Sequence, residues 1–212
     1  MRALLCSGGL LISQLACSTA YAADPPQLSA IRAGRVVDVV AGKVLDNQII
    51  VVRGERIEAV GPASSVQIPA GAKVIDLSAY TVLPGLIDAH THVTAEPTLP
   101  PYRSYGISHP RQTLMGAANV KTTLLAGVTT VRDVGSPAFI DVALRDAVND
   151  GDIPGPRILA SGPALGITGG HCDDNMLAPE FNYQSEGVAN GVEGVRQAVR
   201  RNVKYGVDVI KY

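Results

Sequence analysis

Two histidines separated by a single residue are the feature of this sequence that most strongly suggests chemistry. His90 and His92 follow an apolar run over residues 83–87, which contains a Pro-Gly pair and is followed by Asp88. If residues 86–90 form a buried strand, residues i and i+2 point to the same face, and the two imidazoles lie side by side. Neutral imidazole is a common ligand of zinc and related metals. The pair therefore predicts a divalent metal site, and the alternative is two solvated loop histidines.

A lysine at the end of another apolar run is the second candidate. Lys211 follows residues 207–210, which are β-prone. Burial lowers the pKa of a lysine from its reference of ~10.4 and favours the neutral amine. A neutral amine can add carbon dioxide and become a carbamate, an anionic ligand whose two oxygens can bridge two cations. The alternative is a surface lysine whose stem lies along the strand end.

Histidine and cysteine occur together in a glycine-rich segment, residues 169–174. His171 and Cys172 come directly before Asp173. Three interpretations stay open: an ordinary polar turn, contact between His171 and a substrate, and a separate metal site formed by these three side chains. The spacing of the nearby glycines does not match a dinucleotide-binding fingerprint, and no helix start follows directly.

Three other polar residues lie at element boundaries. His109 precedes Pro110 and is interpreted as a solvated residue at the start of a helix. Arg132 and Asp133 end a β-branched run. The sequence does not distinguish between an ion pair that supports the site and one that is purely structural.

The elements that must position these residues change character near residue 83. Residues 28–78 contain short β-prone runs with a hairpin turn at residues 53–55, which predicts a small antiparallel β module. Beyond residue 83, strands alternate with helices, and this predicts a parallel sheet. The predicted strands are residues 86–90, 128–131, 157–160 and 207–210, and the predicted helices are residues 111–125, 138–148 and 192–205.

Four strand–helix units correspond to the first half of a TIM-type (β/α)8 barrel, which takes roughly 250 residues when complete. The fold class is therefore α/β. In such barrels the chemistry lies at the C-terminal ends of the strands. His90, His92 and Lys211 all fall at such ends.

The composition fits a globular protein and argues against several classes of function. The 212 residues are 46% hydrophobic and 17% charged, with a formal net charge of −1, so no basic surface for nucleic acid is expected. Residues 1–22 resemble a secretory signal peptide cleaved after Ala22, and their apolar part is too short for a membrane span. Lipid attachment at Cys17 is the alternative. The mature chain is expected to be secreted or periplasmic, with residues 23–82 as the β module and residues 83–212 as the half barrel.

Several segments together resemble one known group of enzymes. Residues 84–92 look like the first-strand signature of the amidohydrolase superfamily, and residues 127–133, 156–158 and 208–211 are also similar to it. The likeness is greatest to the prolidase-like (Xaa-Pro dipeptidase) and imidazolonepropionase-like branch. The resemblance includes the β module.

The resemblance implies a role for each candidate residue. His90 and His92 would hold the more buried of two divalent metal ions, with zinc as the first choice, and carboxylated Lys211 would bridge both ions. A Gly-Gly-His segment in the same branch implies substrate contact by His171. Two further histidines and an aspartate that acts as general acid/base are expected beyond residue 212.

The resulting hypothesis is a metal-dependent hydrolase of amide C–N bonds that acts on Xaa-Pro dipeptides, with a cyclic amide as the second substrate class. A different class of hypothesis is an inactive, truncated, secreted fragment with residual metal binding. A mononuclear deaminase is a third possibility, although such sites do not need a lysine on the fourth strand. A small-molecule or dipeptide substrate is expected as partner, and the oligomeric state stays open.

Overall fold

The computed structural model describes residues 26–96 and 98–212. The chain divides into two compact units, Met1–Leu83 and Pro84–Tyr212. The predicted signal peptide lies outside the described residues. Within the described part of the chain, no helix combines the length and the apolar character needed to cross a membrane.

The first unit is a four-stranded sheet in which three of the strands form an antiparallel meander. Its strands are β1 (Leu28–Asp38), β2 (Lys43–Arg53), β3 (Arg56–Pro62) and β4 (Lys73–Val82). The sheet order is β3-β2-β1-β4, and β2 is antiparallel to both of its neighbours. The predicted hairpin turn between β2 and β3 is confirmed. Gly54 supplies the positive φ that such a turn requires, at +57°.

The prediction of a purely antiparallel module is wrong for β4, which pairs with β1 in parallel. Residues 63–72 carry the chain back from the end of β3 to the level at which β1 begins. Because of this return, β4 runs in the same direction as β1 along the open edge. No local pattern in β4 distinguishes the two directions, since both use the same alternating side chains.

The second unit combines a three-stranded parallel sheet with helices. Its strands are β5 (Leu86–Thr91), β6 (Val128–Asp133) and β7 (Arg157–Leu159), in the order β5-β6-β7. Its α-helices are α1 (His109–Leu125), α2 (Ile140–Asn149) and α3 (Gly191–Lys204). The alternation of strands and helices predicted from the sequence is confirmed for these three units. A closed barrel is not formed by the described residues.

The core of this unit lies where α1 and α2 cover the sheet. Val120 of α1 and Leu144 of α2 are at most 2% exposed, and they belong to one cluster with Val131 of β6 and Ile158 of β7. The helices approach closely at Gly116, where an added Cβ would lie 2.6 Å from a methyl group of Leu144. Burial of these apolar faces fixes the sheet against the helices and hence the positions of the strand ends.

Two local predictions about strands are corrected. The first strand of the parallel sheet, β5, is exposed rather than buried, with Leu86 56% and Ile87 72% exposed. It forms an edge of the sheet, with β6 as its neighbour on one side. Its apolar run therefore identifies a strand correctly but does not report its burial.

The predicted fourth strand, residues 207–210, is not a strand. Its backbone lies beside the end of β7, where the amides of Asp208 and Val209 both donate to the carbonyl of Ala160, at 2.8 and 3.2 Å. The Asp208 carboxylate accepts a hydrogen bond from the Ala160 amide at 2.9 Å and another from Arg145. Because a side chain occupies the donor that a ladder would use, a regular parallel pairing does not form.

The predicted helix over residues 138–148 also begins later, at Ile140. Ala138 and Phe139 have left-handed backbone conformations, with φ of 50° and 56°. Such conformations are costly for residues other than glycine and need support from their surroundings.

Candidate functional site

A cavity of about 300 Å³ lies at the carboxyl ends of the three parallel strands. The chain contains four histidines, and all of them line this cavity. Lys211 and Cys172 also line this cavity. The histidines are His90, His92, His109 and His171. The structure thus brings together the four residues predicted for the site, which come from three separate stretches of the chain. These residues are His90, His92, His171 and Lys211.

His90 and His92 stand next to each other with their ring centroids 5.8 Å apart and their planes at 68°. Nδ1 of His92 lies 3.0 Å from the carbonyl oxygen of Gly135. Since a carbonyl oxygen only accepts, Nδ1 carries a proton, and in the neutral form of the ring Nε2 keeps its lone pair. This is the arrangement by which proteins orient a metal-binding histidine. The backbone amide of His90 donates to the Asp88 carboxylate at 3.0 Å, which fixes the chain just before the pair.

Arg132 and Asp133 do not pair with each other but bond to different backbone groups. Arg132 Nε donates to the carbonyl of Ala89 at 2.7 Å. Asp133 is fully buried and accepts from the amides of Val93 and Gly135, at 2.7 and 3.1 Å. Burial raises the pKa of Asp133 to about 6, against the lowering effect of these two hydrogen bonds. The ion pair considered from the sequence is therefore not formed.

The loop that follows β7 is held by two buried polar side chains from the helices. Asp141 of α2 accepts hydrogen bonds from the amides of Ser161 and Gly162, at 2.9 and 2.7 Å. Burial raises the pKa of Asp141. Asn202 of α3 donates to the carbonyls of Ser161 and Pro163, at 3.2 and 3.0 Å. These bonds place Pro163 in the cavity wall.

Sequence reasoning missed both of these residues. Each is a polar residue on the apolar face of an amphipathic helix, and a buried polar side chain needs a hydrogen-bond partner. This pattern in the sequence could have identified both residues.

Asp173 organises the segment that carries His171 and Cys172. Its carboxylate accepts hydrogen bonds from the amides of Gly169, Ser185 and Asp174, at 2.9, 3.2 and 3.0 Å. These bonds lower the pKa of Asp173. The carboxylate therefore joins Gly169 and Ser185 within this loop. The neighbouring His171 and Cys172 line the cavity.

A separate metal site at His171, Cys172 and Asp173 is not supported. Within the described ranges, no three or more histidine, cysteine, aspartate or glutamate side chains lie together in a way that could hold a metal ion. The three residues predicted to hold a metal, His90, His92 and Lys211, all line the cavity. The donor set suits zinc, because neutral imidazole is a common zinc ligand and the hydrogen bond of His92 at Nδ1 leaves Nε2 as its metal-binding nitrogen. Lys211 is partly buried, and its carbonyl accepts a hydrogen bond from Leu165 at 2.8 Å.

Two further lining residues were not identified from the sequence. His109, predicted to be a solvated residue at the start of a helix, is exposed but also lines the cavity at the start of α1. Glu186 lines the cavity and accepts a hydrogen bond from the amide of Ala138 at 3.0 Å. Its carboxylate also lies 3.6 Å from Arg201, which balances its charge. Glu186 thereby supports the left-handed segment at Ala138.

Comparison with known proteins places these features in a family. The profile of the amidohydrolase family matches residues 81–212. The chain belongs to the amidohydrolase family. The resemblance inferred from the sequence motifs is confirmed.

Individual known proteins resemble the chain over most of its length. Ochratoxinase from Aspergillus niger is 31% identical over 210 residues, which cover 89% of this chain and 42% of that protein. The crystal structure of a Xaa-Pro dipeptidase with bound methionine in its active site has a TM-score of 0.72 and 31% identity, covering 87% of this chain and 46% of that one. A prolidase complexed with N-methylphosphonate-L-proline has a TM-score of 0.73 and 34% identity, with 87% and 46% covered. The chain spans less than half the length of these relatives.

Proposed function

We propose that this chain carries part of the active site of a metal-dependent hydrolase that cleaves amide C–N bonds. The observation that supports the proposal most directly is the convergence of His90, His92, His171 and Lys211 on one cavity. Membership of the amidohydrolase family and likeness to proteins named as dipeptidase, prolidase and ochratoxinase support the same reaction class.

His90, His92 and Lys211 are the residues that would hold two divalent metal ions, with zinc as the first choice. In its neutral form the Lys211 amine would bond to the carbon of carbon dioxide and lose a proton, which would leave a carbamate whose single negative charge is shared by two oxygens. Divalent ions of this kind polarise a carbonyl oxygen and lower the pKa of a water molecule to about 7. The hydrogen bond from His92 Nδ1 to Gly135 keeps Nε2 directed away from the protein backbone.

The substrate we propose first is a dipeptide that ends in proline. This choice rests on the prolidase and Xaa-Pro dipeptidase likeness, at 34% and 31% identity. His171 would contact the substrate from the loop after β7, where Asp173 holds the segment in place. A cyclic amide is the second choice of substrate class.

Replacement of Lys211 tests the proposed metal site. Lys211→Ala is expected to lose at least one of two bound zinc ions, measured by elemental analysis, because the bridging ligand is gone. In wild-type protein supplied with ¹³C-labelled bicarbonate, a carbamate carbon signal is expected, and it should vanish in the variant. Turnover of a Xaa-Pro dipeptide should fall by more than about 100-fold, the scale of losing an essential group.

Lys121→Ala is the matched control, since Lys121 is an exposed lysine on α1 outside the cavity lining. It should keep the metal content and turnover of the wild type. If Lys211→Ala retains both metal ions and full activity, the bridging role of Lys211 is wrong. If the full-length protein binds metal but turns over no amide, the hydrolase proposal fails.

A further inference from the structure

The dipeptide at the end of β6 contacts the backbone on both sides of the two neighbouring histidines. We infer that Arg132 and Asp133 form a clamp that positions His90 and His92. The clamp consists of these two side chains and the hydrogen bonds they make. The inference rests on the proposed metal-binding role of the histidines. The hydrogen bonds that support it are formed between protein atoms only.

Arg132 acts on the residue that precedes His90. The parallel pairing of β5 and β6 is irregular between Asp88 and Thr91, so the ladder does not fix this stretch. In that interval Arg132 Nε donates to the carbonyl of Ala89 at 2.7 Å. A side chain from the neighbouring strand therefore substitutes for the ladder directly before the first histidine.

Asp133 acts on the residue that follows His92. One carboxylate oxygen accepts from the amide of Val93 at 2.7 Å, and the other accepts from the amide of Gly135 at 3.1 Å. The amide of Val134 adds a bond of 3.0 Å to the carbonyl of Thr91, between the two histidines. One buried carboxylate thus joins the turn after β5 to the turn after β6.

Gly135 transmits this arrangement to the imidazole of His92. Its carbonyl accepts the Nδ1 proton of His92 at 3.0 Å. A Cβ at Gly135 would lie 3.3 Å from Cε1 of His92 and 3.3 Å from Cβ of Ala164, so the glycine allows the backbone to come close to the ring. The chain of contacts from Asp133 therefore ends on the ring that would carry a metal ligand.

A purely structural role and a positioning role of Asp133 predict different effects of its replacement on the His92 ring. Asp141 is also buried, but its carboxylate accepts from the amides of Val142, Ser161 and Gly162 and not from the residues around His92. If buried carboxylates here only stabilise the unit, replacing either aspartate should have the same kind of effect. If Asp133 positions His92, only its replacement should change the imidazole.

The decisive measurement is the tautomer of His92 in metal-free, full-length protein, read from ¹⁵N chemical shifts of the ring. The wild type is expected to hold the proton on Nδ1. In Asp133→Asn the amide group cannot accept from both backbone donors, so the carbonyl of Gly135 shifts and His92 moves toward the Nε2–H tautomer. Asp141→Asn should leave the His92 signals unchanged. An unchanged His92 tautomer in folded Asp133→Asn would overturn the clamp.

Arg132→Gln tests the other arm with a surface substitution, which keeps the inference falsifiable if Asp133→Asn does not fold. The expected result is a change in the His90 ring signals, whereas Arg157→Gln, at an exposed arginine on β7, should leave them unchanged. Identical His90 signals in Arg132→Gln and the wild type would overturn the Arg132 arm.

Cobalt titration followed by visible absorption connects the clamp to the proposed site. Asp133→Asn and Arg132→Gln are expected to bind Co²⁺ about 10-fold to 100-fold more weakly than the wild type, as for other residues that orient metal ligands. Asp141→Asn and Arg157→Gln should bind as the wild type does. Equal affinity in all variants would overturn the clamp. A wild type that binds no Co²⁺ would instead contradict the proposed function, and the tautomer would then decide the clamp.

Discussion

His92 illustrates how backbone contacts prepare a side chain for chemistry. Nδ1 donates its proton to the carbonyl of Gly135, so Nε2 is the nitrogen that carries a lone pair in the neutral form of the ring. His90 lies next to it with a ring-centroid separation of 5.8 Å. By contrast, His109 and His171 come from the start of α1 and from the loop after β7. The four histidines of this cavity are therefore expected to have two kinds of role. His90 and His92 would bind metal, and the other two would not.

Zinc affinity should separate these roles at the residue scale. His90→Asn and His92→Asn are each expected to weaken zinc binding by more than about 100-fold, because an imidazole ligand is lost, a larger effect than loss of an outer partner. His109→Asn and His171→Asn should change zinc affinity by less than about threefold. Calorimetric titration of all four variants makes the comparison, and strong loss in His171→Asn would contradict its assignment to the substrate.

At the scale of elements, the site depends on how helices hold the turns between strands and helices. Asp141 on α2 and Asn202 on α3 both bond to the backbone of Ser161. The Leu144 side chain packs α2 against the core cluster that includes Val131. The turn after β7 is therefore fixed by two helices rather than by its own residues, since buried backbone groups need partners.

The raised pKa of Asp141 predicts how stability changes with pH. An aspartate in the unfolded chain has a pKa of ~3.9, and burial raises the pKa of Asp141 above that in the folded state. Between these two values the folded protein binds more protons than the unfolded chain, so the free energy of unfolding falls as pH rises through this interval. Removing the carboxylate in Asp141→Asn should remove that contribution.

Urea unfolding of metal-free protein between pH 4 and 7 measures the effect. Asp141→Asn is expected to be less stable overall, by roughly 1–3 kcal/mol for the lost buried hydrogen bonds, but to lose less stability with rising pH than the wild type. Asp146→Asn, at an exposed aspartate on the same helix, should follow the wild-type slope. Parallel slopes in all three proteins would contradict the assignment.

At the scale of the whole molecule, the chain consists of two compact units with different architectures. Met1–Leu83 contains the mixed four-stranded sheet, and Pro84–Tyr212 contains the parallel sheet and the cavity. All candidate metal ligands belong to the second unit. A ligand that binds only the folded second unit stabilises that unit by mass action.

Hydrogen exchange should reveal this division. With zinc at about 100 times its dissociation constant, binding contributes about 2.7 kcal/mol of stabilisation. Slower exchange is therefore expected in β5, β6 and the segments around His171 and Lys211, with little change in β1 and β2. His90→Asn is the control and should show no zinc-dependent protection. Equal protection in both units would contradict a site confined to the second unit.

Local sequence patterns were sufficient to predict much of the second unit. The helix over residues 111–125 and the helix over residues 192–205 agree with α1 and α3 to within two residues at each end. Amphipathic periodicity and a following glycine encode these elements within the segment itself. The same holds for the hairpin turn at Gly54, whose conformation needs only local backbone freedom.

Other features depended on contacts between residues far apart in the chain. The parallel direction of β4, the irregular path of residues 207–210 and the place of His109 on the cavity each follow from long-range packing. The sequence by itself determined the His-x-His pair, the lysine and the alternation of strands and helices, because these are encoded in short segments. Only the tertiary structure decided that Arg132 and Asp133 bond to the backbone around the pair instead of to each other. The physical reason is that backbone amides and carbonyls compete with an oppositely charged side chain for each charged group, and the packed arrangement decides that competition.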